Sequence, residues 1–355
     1  GGIQSYLWEL WRRLDPATFT VLTTPYDGAE AWDAEQPFRV ERTPERVLLP
    51  TRSLARRIEA LAEETGAALV VLDPALPVGL LGPRLSRPYG LVLHGAEITV
   101  PGRLPGSWLL LRRVLRGASE VIAAGGYPAA EGERAAGRAL PVTIVPPGVD
   151  PARFVPLDAE QRAKARALFD LPAEGRVVVS LSRLVPRKGM DVLVEAAALL
   201  APDRPDLVVA IGGSGRDSRR LARLISRTGA PVRLLGRVPD DDLPALYGCA
   251  DVYAMVCRTR WAGLEQEGFG IVYLEAAASG VPQVAGASGG AAEAVADGET
   301  GIVVAAPDDA AAVARALARL VDTAPVREAM GAAARTRAEA EFAYDVLAGR
   351  LAAVL

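Results

Sequence analysis

Residues 176–212 read RVVVSLSRLVPRKGMDVLVEAAALLAPDRPDLVVAIG and decide the fold class of the chain. The β-branched runs at Arg176–Leu181 and Leu207–Gly212 predict two buried strands, and the stretch near 189–200 between them predicts a helix. Strands joined through a helix lie parallel in one sheet, because a parallel pair needs a long crossover connection. The sequence therefore predicts a doubly wound α/β unit around this stretch.

The same alternation of strands and helices extends along the rest of the chain. It predicts further strands at Phe19–Thr23, Ala68–Leu72, Gly90–His94, Glu120–Ala124, Val232–Leu235, Val252–Met255, Val281–Ala285 and Gly301–Val304, and helices near 3–14, 51–65, 106–116, 158–169, 215–228, 241–248, 270–279, 308–322 and 326–340. The strongest break is Pro146-Pro147-Gly148-Val149-Asp150, which predicts a linker between two domains, residues 1–147 and 148–341. A last helix within about 342–355 is expected to cross back to the first domain.

Composition narrows the class of protein. The chain has 355 residues, half of them hydrophobic, which is enough for two cores. A formal net charge of −3 argues against nucleic acid as a partner. Two cysteines cannot form a disulfide framework and fit a reducing cytosol. No apolar run approaches the roughly 20 residues of a membrane span.

A basic loop follows the first strand of the opening stretch. Arg183, Arg187 and Lys188 lie between the strand and the next helix, at an edge of the sheet where ligands of parallel α/β domains bind. Guanidinium and ammonium groups placed there suit a diphosphate, since Arg can grip two oxygens at once. A solvated basic loop is the alternative interpretation.

Two glycine-containing turns follow the next strands. Gly212-Gly213-Ser214-Gly215 lets the backbone come close to a phosphate or a sugar, although it lacks the full spacing of a dinucleotide-binding fingerprint. Gly236-Arg237-Val238-Pro239 offers a platform for the edge of a base. Both turns indicate a nucleotide without identifying it.

The stretch Glu267-Gly-Phe-Gly-Ile-Val-Tyr-Leu-Glu275 places a carboxylate before a glycine-rich turn and a second carboxylate within the following helix. The free N–H groups and the dipole of a helix start favour an anion at this point. In the first half, His94 is the only histidine and follows the apolar run 91–93. Its position at the end of a predicted strand favours a functional role over a structural one.

Taken together, these motifs resemble glycosyltransferase family 4. The resemblance is carried by Gly1-Gly2-Ile-Gln-Ser-Tyr6, His94-Gly-Ala-Glu97, Pro147-Gly-Val-Asp150, Arg183 with Lys188, and Glu267 with Glu275. It implies a GT-B fold, in which two Rossmann-like domains face a cleft, and a retaining transfer from a nucleotide sugar without a required metal or other cofactor. Within that family the chain is most similar to phosphatidylinositol mannosyltransferases, which implies GDP-mannose as donor and a phosphoinositide glycolipid as acceptor.

The resemblance also implies a role for each matching residue. Arg183 and Lys188 would bind the diphosphate, Glu267 the hydroxyls of the donor sugar, Glu275 the ribose, and His94 would lie near the C6 hydroxyl of the sugar. The remaining donor-binding residues would be Gly2, Gly213, Val238, Gly268, Phe269, Gly270, Ile271 and Val272. Because no carboxylate is placed as a covalent nucleophile, a front-face mechanism is expected.

A lipid acceptor requires contact with a membrane surface. Residues 105–116 read PGSWLLLRRVLR and predict a basic amphipathic helix with Trp108, Arg112, Arg113 and Arg116 at an anionic interface. The alternative is an ordinary core-facing helix with a solvated basic side. By analogy alone, Gln4, Tyr6 and Tyr127 would flank the acceptor. These features predict a cytoplasmic protein, peripheral on the inner face of the plasma membrane.

Several alternatives remain at this level. The family's first strand should precede Gly1-Gly2, so a truncated sequence is expected. The chemistry could use another nucleotide sugar, such as UDP-N-acetylglucosamine, and a soluble acceptor. An NAD-dependent oxidoreductase or a non-catalytic nucleotide-binding protein could be built on the same sheets. Arg258 and Arg260 could contact substrate or form surface ion pairs.

Overall fold

The computed structural model describes residues 2–355 and divides them into two compact units. The N-terminal unit comprises the residues up to Pro147 together with Tyr344–Leu355, and the C-terminal unit comprises Gly148–Ala343. Gly1, half of the predicted Gly1-Gly2 turn, lies outside the described residues. Among the described helices, none is both long and apolar enough to cross a bilayer.

The N-terminal unit is built from parallel strands and surrounding helices. Its strands are β1 (Thr20–Thr23), β2 (Arg39–Arg42), β3 (Val70–Leu72), β4 (Tyr89–Leu93), β5 (Glu120–Ala123) and β6 (Val142–Ile144), and its first helices are α1 (Gly2–Trp11), α2 (Ala29–Ala34), α3 (Arg52–Thr65), α4 (Ala96–Thr99), α5 (Ser107–Gly117) and α6 (Gly126–Ala136). Strands β1 and β2 pair with each other, and the other strands form a parallel sheet in the order β3-β4-β5-β6. Every residue of β4 is buried, as expected for a strand covered on both faces.

The C-terminal unit repeats this plan with a larger sheet. Its strands are β7 (Arg176–Leu181), β8 (Leu207–Gly212), β9 (Val232–Gly236), β10 (Val252–Met255), β11 (Gln283–Gly286) and β12 (Gly301–Val304), and its helices are α7 (Ala159–Leu168), α8 (Met190–Leu200), α9 (Ser218–Thr228), α10 (Leu243–Gly248), α11 (Ile271–Ala278), α12 (Ala291–Ala294), α13 (Ala310–Asp322) and α14 (Ala324–Glu341). All described pairs of this sheet are parallel, in the order β12-β11-β10-β7-β8-β9.

The order of this sheet marks the place for a ligand. The chain proceeds from β7 to β8 and β9 on one side, and β10 to β12 lie on the other, so the winding direction reverses between β7 and β10. In open parallel sheets, ligands bind outside the carboxyl ends of the strands at such a reversal. A ligand is therefore expected at the loops that follow β7 and β10.

A final helix, α15 (Tyr344–Ala352), belongs to the N-terminal unit. Tyr344, Leu347 and Leu351 are buried in a cluster with Leu10 of α1 and Val92 of β4. The guanidinium of Arg13, which follows α1, lies 5.3 Å from the ring centroid of Tyr344. Apolar burial of this kind stabilises by about 25 cal/mol per Å², so α15 completes the core of the N-terminal unit.

The structure agrees with the predicted elements, with a few differences. Every predicted strand and helix is present, but the first helix ends at Trp11 rather than near residue 14. Six further strands and α-helices are not predicted by the sequence, namely α2, β2, α4, α6, β6 and α12. They are short or carry weak signals: β2 reads RVER, and α6 contains two glycines and a proline.

Candidate functional site

Two loops meet at the reversal of the C-terminal sheet. The loop after β7 carries Arg183 and Lys188, and the loop after β10 leads to Glu267. Gly189 closes the first loop at φ 69°, and a Cβ there would lie 2.1 Å from the carbonyl oxygen of Val256 in the second loop. Only glycine fits this approach, so the direct contact between the two loops depends on the glycine at this position.

Lys188 and Glu267 form a buried ion pair at this contact. The Nζ of Lys188 lies 2.7 Å from Oε2 of Glu267, and both side chains are less than a tenth exposed. Lys188 also lies 3.5 Å from the sulfur of Met255. The predicted phosphate-binding cation and the predicted sugar-binding carboxylate are thus brought together.

The charge state of Glu267 follows from its surroundings. Burial alone would raise the pKa of its carboxyl, but the charges of Lys188 and Arg187 outweigh burial and hold that pKa below its usual value. Cys257 donates its thiol hydrogen to the same Oε2 atom at 3.3 Å, and burial raises the pKa of that thiol. Glu267 is therefore an ionised acceptor whose described hydrogen bonds all go to Oε2, leaving Oε1 for a ligand.

The two arginines of the basic loop differ in their environment. Arg183 is exposed, and within residues 2–355 no hydrogen bond or ion pair engages its guanidinium. Arg187 is half-buried, and its Nη1 atom is shielded from solvent without a hydrogen-bond partner in the described part of the chain. Both groups can still bind an anion, as predicted for the cations of this basic loop.

The glycine-rich turn after β8 supports the basic loop. Gly213 has φ 118°, and a Cβ there would lie 1.9 Å from the carbonyl oxygen of Ser182. The N–H of Leu184 donates to the carbonyl oxygen of Ser214 at 2.9 Å. Gly213 therefore packs directly against the loop that carries Arg183. It has this structural role in addition to the predicted contact with the donor.

Helix α11 begins directly after the glycine-rich segment that follows Glu267. Gly270 is its N-cap, so Ile271 and Val272 present N–H groups that have no partner within the helix. Phe269 is buried and packs against Phe342 at 5.7 Å between ring centroids, which leaves its backbone as the part available to a donor. The N–H of Gly290 donates to the carbonyl oxygen of Glu267 at 3.0 Å and fixes the start of this segment. Gly268 lies between these anchored residues.

Glu275 lies one turn into α11 and is held by Tyr247. The Tyr247 hydroxyl donates to Oε2 of Glu275 at 2.5 Å. Burial raises the pKa of Glu275, while this hydrogen bond and the charge of Arg153 oppose the rise. Val238 follows β9 and packs partly buried against the core of the unit. Tyr247 lies in an apolar helix, where nothing in the sequence distinguishes it from a core residue.

In the N-terminal unit, His94 follows β4 and pairs with Asp73, which follows β3. The Nε2 atom of His94 lies 2.8 Å from Oδ1 of Asp73. Burial lowers the pKa of His94, but the hydrogen bond and charge of Asp73 outweigh burial and leave the pKa raised. The carboxylate of Glu97 accepts the backbone N–H groups of His94 and Gly95 at 2.6 and 3.1 Å. Sequence reasoning missed Asp73, although it follows a predicted strand just as His94 does.

The residues predicted by analogy to flank the acceptor lie in different environments. Tyr6 is 1% exposed and donates its hydroxyl to the carbonyl oxygen of Val145 at 2.5 Å. Its ring also lies 6.1 Å from the ring of His94, and its contact with an acceptor stays a prediction. Gln4 is exposed on α1, and Tyr127 is half-buried with its hydroxyl 3.1 Å from Oγ1 of Thr99. Gly2 is the first residue of α1.

Helix α5 presents an apolar and basic outer face. Trp108, Leu109 and Leu110 are 36%, 55% and 52% exposed, and Arg113 and Arg116 are exposed on the same helix. The Arg112 guanidinium lies 5.6 Å from the ring centroid of Trp108. Leu111, Val114 and Leu115 form the buried face, so the helix is anchored while its other large apolar side chains face solvent.

Comparisons with known proteins agree with this geometry. Residues 161–337 match the family model described as Glycosyl transferases group 1. The chain is 40% identical to the GDP-mannose-dependent alpha-(1-6)-phosphatidylinositol monomannoside mannosyltransferase of Mycolicibacterium smegmatis, over 100% of this chain and 94% of that protein. It is 36% identical to the GDP-mannose-dependent monoacylated alpha-(1-6)-phosphatidylinositol monomannoside mannosyltransferase of Corynebacterium glutamicum, with the same coverage.

Solved structures are similar to the whole chain. The crystal structure of Anabaena HepE in complex with UDP aligns with a TM-score of 0.84 and 22% identity, covering 100% of this chain and 96% of that one. This likeness confirms the predicted fold class, two Rossmann-like domains with parallel sheets as in GT-B proteins. The chain therefore belongs to the group 1 glycosyltransferases, which confirms the predicted family and the prediction that the protein is a hexosyltransferase.

Proposed function

We propose that this chain transfers α-mannose from GDP-mannose to a phosphatidylinositol mannoside glycolipid. The observation that carries the proposal is similarity over the whole chain, at 36–40% identity, to relatives whose names state this donor and acceptor. The similarity spans both units, so it includes the candidate site residues of each unit. The arrangement of charged groups in the C-terminal unit supports the donor assignment.

The donor would bind at the reversal of the C-terminal sheet. Arg183 is exposed and Arg187 has an unpartnered buried Nη1 atom, so both can take a phosphate oxygen. Lys188 adds a third positive charge beside them, although Glu267 shares it. We propose that these groups meet the charge of the diphosphate without a required metal ion. Adding a chelator should then leave the transfer rate unchanged.

The ionised state of Glu267 suits a hydrogen-bond acceptor for the donor sugar better than a proton donor. A general acid must hold its proton near neutral pH, whereas Lys188 and Arg187 keep the pKa of Glu267 low. Its free Oε1 would accept a sugar hydroxyl, and the N–H groups at the start of α11 would bind nearby oxygens. Glu275 would bind the ribose hydroxyls, oriented by Tyr247.

We propose a front-face reaction with retention of configuration. The bond between C1 of mannose and the β-phosphate oxygen breaks, and an acceptor hydroxyl oxygen bonds to C1 on the same face. The proton of that hydroxyl passes to the departing phosphate oxygen, so GDP leaves as the second product. Arg183 and Lys188 would stabilise the growing charge on the phosphate, the electrostatic contribution that usually matters most.

We propose that His94 binds a hydroxyl of the donor sugar. Its pairing with Asp73 fixes the ring through Nε2, so Nδ1 remains to hydrogen-bond the C6 hydroxyl. Because the pKa of His94 is raised, the ring stays protonated to higher pH than an ordinary histidine, and a protonated ring would donate this hydrogen bond.

The acceptor would be reached at an anionic membrane surface. On α5, Trp108, Leu109 and Leu110 would enter the interface, while Arg113 and Arg116 would meet lipid phosphates. Exposed apolar patches of this kind, rimmed by charge, often mark membrane or protein contacts. We therefore propose a peripheral enzyme on the inner face of the plasma membrane.

Transfer of radiolabelled mannose tests the proposal directly. The protein is incubated with labelled GDP-mannose and phosphatidylinositol monomannoside in vesicles, and label in a chloroform-soluble product is counted. Lys188→Met should lose nearly all transfer, whereas Lys164→Met, at the only other lysine of the chain, should match wild type because that residue is solvent-exposed. Label that never enters lipid, together with consumption of UDP-sugars, would show that the donor and acceptor are wrong.

A further inference from the structure

Arg258 follows β10 by three residues and is largely buried, with 14% of its side chain exposed. Its guanidinium is occupied on every side. Nη2 donates to both carboxylate oxygens of Asp191 at 3.0 and 2.8 Å, Nη1 donates to Asp308 at 3.0 Å, and Nε donates to the carbonyl oxygen of Pro186 at 2.9 Å. A guanidinium engaged in this way has little left to offer a substrate phosphate.

What Arg258 holds is the turn that carries Lys188. Pro186–Lys188 is a single turn of 3-10 helix, too short to fix its own position. Arg258 binds this turn twice, because its side chain reaches the carbonyl oxygen of Pro186 and its own backbone N–H donates to the carbonyl oxygen of Arg187 at 2.9 Å. The two backbone acceptors belong to the two residues that precede Lys188.

The carboxylate of Asp191, which pairs with the Arg258 guanidinium, is held in its ionised form. Burial would raise the pKa of Asp191, but Arg258 and then Arg220 outweigh burial and hold that pKa below its usual value. Arg220 lies 3.0 Å from Asp191 and 2.7 Å from Asp217. It therefore shares the acid with Arg258, but its described contacts do not include the turn.

We infer that Arg258 is a positioning residue, which holds the Pro186–Lys188 turn so that Lys188 meets the donor diphosphate. The inference rests on the proposed function for the identity of the donor. Arg258 acts through Lys188 and not on the substrate itself. A misplacement of about 1 Å at a reacting group can cost about a hundredfold in rate, so loosening this turn should be visible in both binding and turnover.

GDP binding to the full-length protein, measured by calorimetry, tests the inference. The variants are Arg258→Gln, Arg258→Lys and the control Arg220→Gln, each alone and in a Lys188→Ala background, with melting temperatures for all. We expect Arg258→Gln to weaken GDP binding at least about tenfold, Arg258→Lys to recover part of the loss, and Arg220→Gln to stay within about twofold of wild type. In the Lys188→Ala background the effect of Arg258→Gln should disappear.

The outcomes separate a positioning role from a structural one. The inference would be overturned if Arg220→Gln weakened GDP binding as much as Arg258→Gln does. It would also be overturned if Arg258→Gln weakened binding equally with and without Lys188, because the effect would then not pass through the turn. Failure of both Arg258 variants to fold would overturn it as well, since Arg258 would then support the whole unit. If wild type binds UDP or ADP and not GDP, the donor assignment fails, and the ratio between variants is read with the nucleotide that binds.

Discussion

Removing the cation of the buried pair should destabilise the C-terminal unit strongly. In Lys188→Met the carboxylate of Glu267 keeps its buried position but loses the ammonium that lies 2.7 Å away. Breaking a buried ion pair by removing one partner costs about 3–5 kcal/mol, because the remaining charge is uncompensated. For a unit of this size about 2–4 °C of melting temperature is lost per kcal/mol, so we expect a fall of about 6–20 °C.

The pH dependence of this loss has a definite sign. In wild type the folded-state pKa of Glu267 is lowered, so the contribution of the pair is complete above the unfolded value of about 4.3 and disappears as the pH falls through the folded-state pKa. In Lys188→Met, burial should raise that pKa instead, so protonation relieves the unpaired charge as the pH falls. The deficit of the variant should therefore be larger at pH 7.5 than at pH 5.5.

Scanning calorimetry of the full chain at these two pH values measures the effect. Lys164→Met is the matched control, because Lys164 pairs with Glu160 on the surface, where both side chains are about three-quarters exposed. Exposed pairs of this kind contribute little, so the control should stay within about 2 °C of wild type. Equal melting temperatures for the two variants, or a deficit that grows in acid, would refute the reasoning.

Further predictions concern other parts of the site. Asp73→Asn should lower the pKa of His94, because the carboxylate of Asp73 raises it in wild type. His94 is the only histidine in the chain, so a single imidazole NMR signal followed against pH reports the shift. An unchanged titration midpoint would contradict the pairing. Tyr247→Phe should raise the pKa of Glu275 further and lower the free energy of unfolding by about 1–2 kcal/mol. The loss should be larger at pH 8 than at pH 5, because a carboxyl whose folded-state pKa is raised destabilises the folded state as the pH rises. A difference in melting temperature that does not change with pH would count against this role. Leu109→Glu should weaken binding to anionic vesicles, measured by sedimentation, about tenfold or more. The control Leu168→Glu, at an exposed leucine outside α5, should bind as wild type does. Equal binding by the two variants would argue against a membrane contact through α5.

The fold could be predicted from the sequence wherever strands are buried on both faces. Strands β7, β8, β10 and β12 have the predicted bounds, because each is a short and largely apolar run. Strand β2 could not be predicted, since its RVER sequence pairs with a single neighbouring strand and keeps its charged side chains partly exposed. Pattern alone reveals strands with two buried faces better than strands with one.

Individual site positions could be predicted, but their partners could not. Lys188 and Glu267 were both singled out, yet nothing in the sequence indicates that residues 79 positions apart form one ion pair. Tyr6 shows a related limit: the resemblance gave it a place beside the acceptor, but its burial and its hydrogen bond to Val145 could not be predicted from the sequence. Contacts between distant loops are set by the register of the sheet, which a local pattern does not contain.

The return of α15 to the N-terminal unit has a consequence for biosynthesis. Leu10 of α1 and Val92 of β4 must wait for Leu347 and Leu351 before their shared cluster is complete. Domains usually fold in order as the chain leaves the ribosome, but here Gly148–Ala343 is contiguous and can finish first, although it is made second. Premature termination within the last dozen residues would thus leave the core of the N-terminal unit incomplete, although the C-terminal unit could still fold.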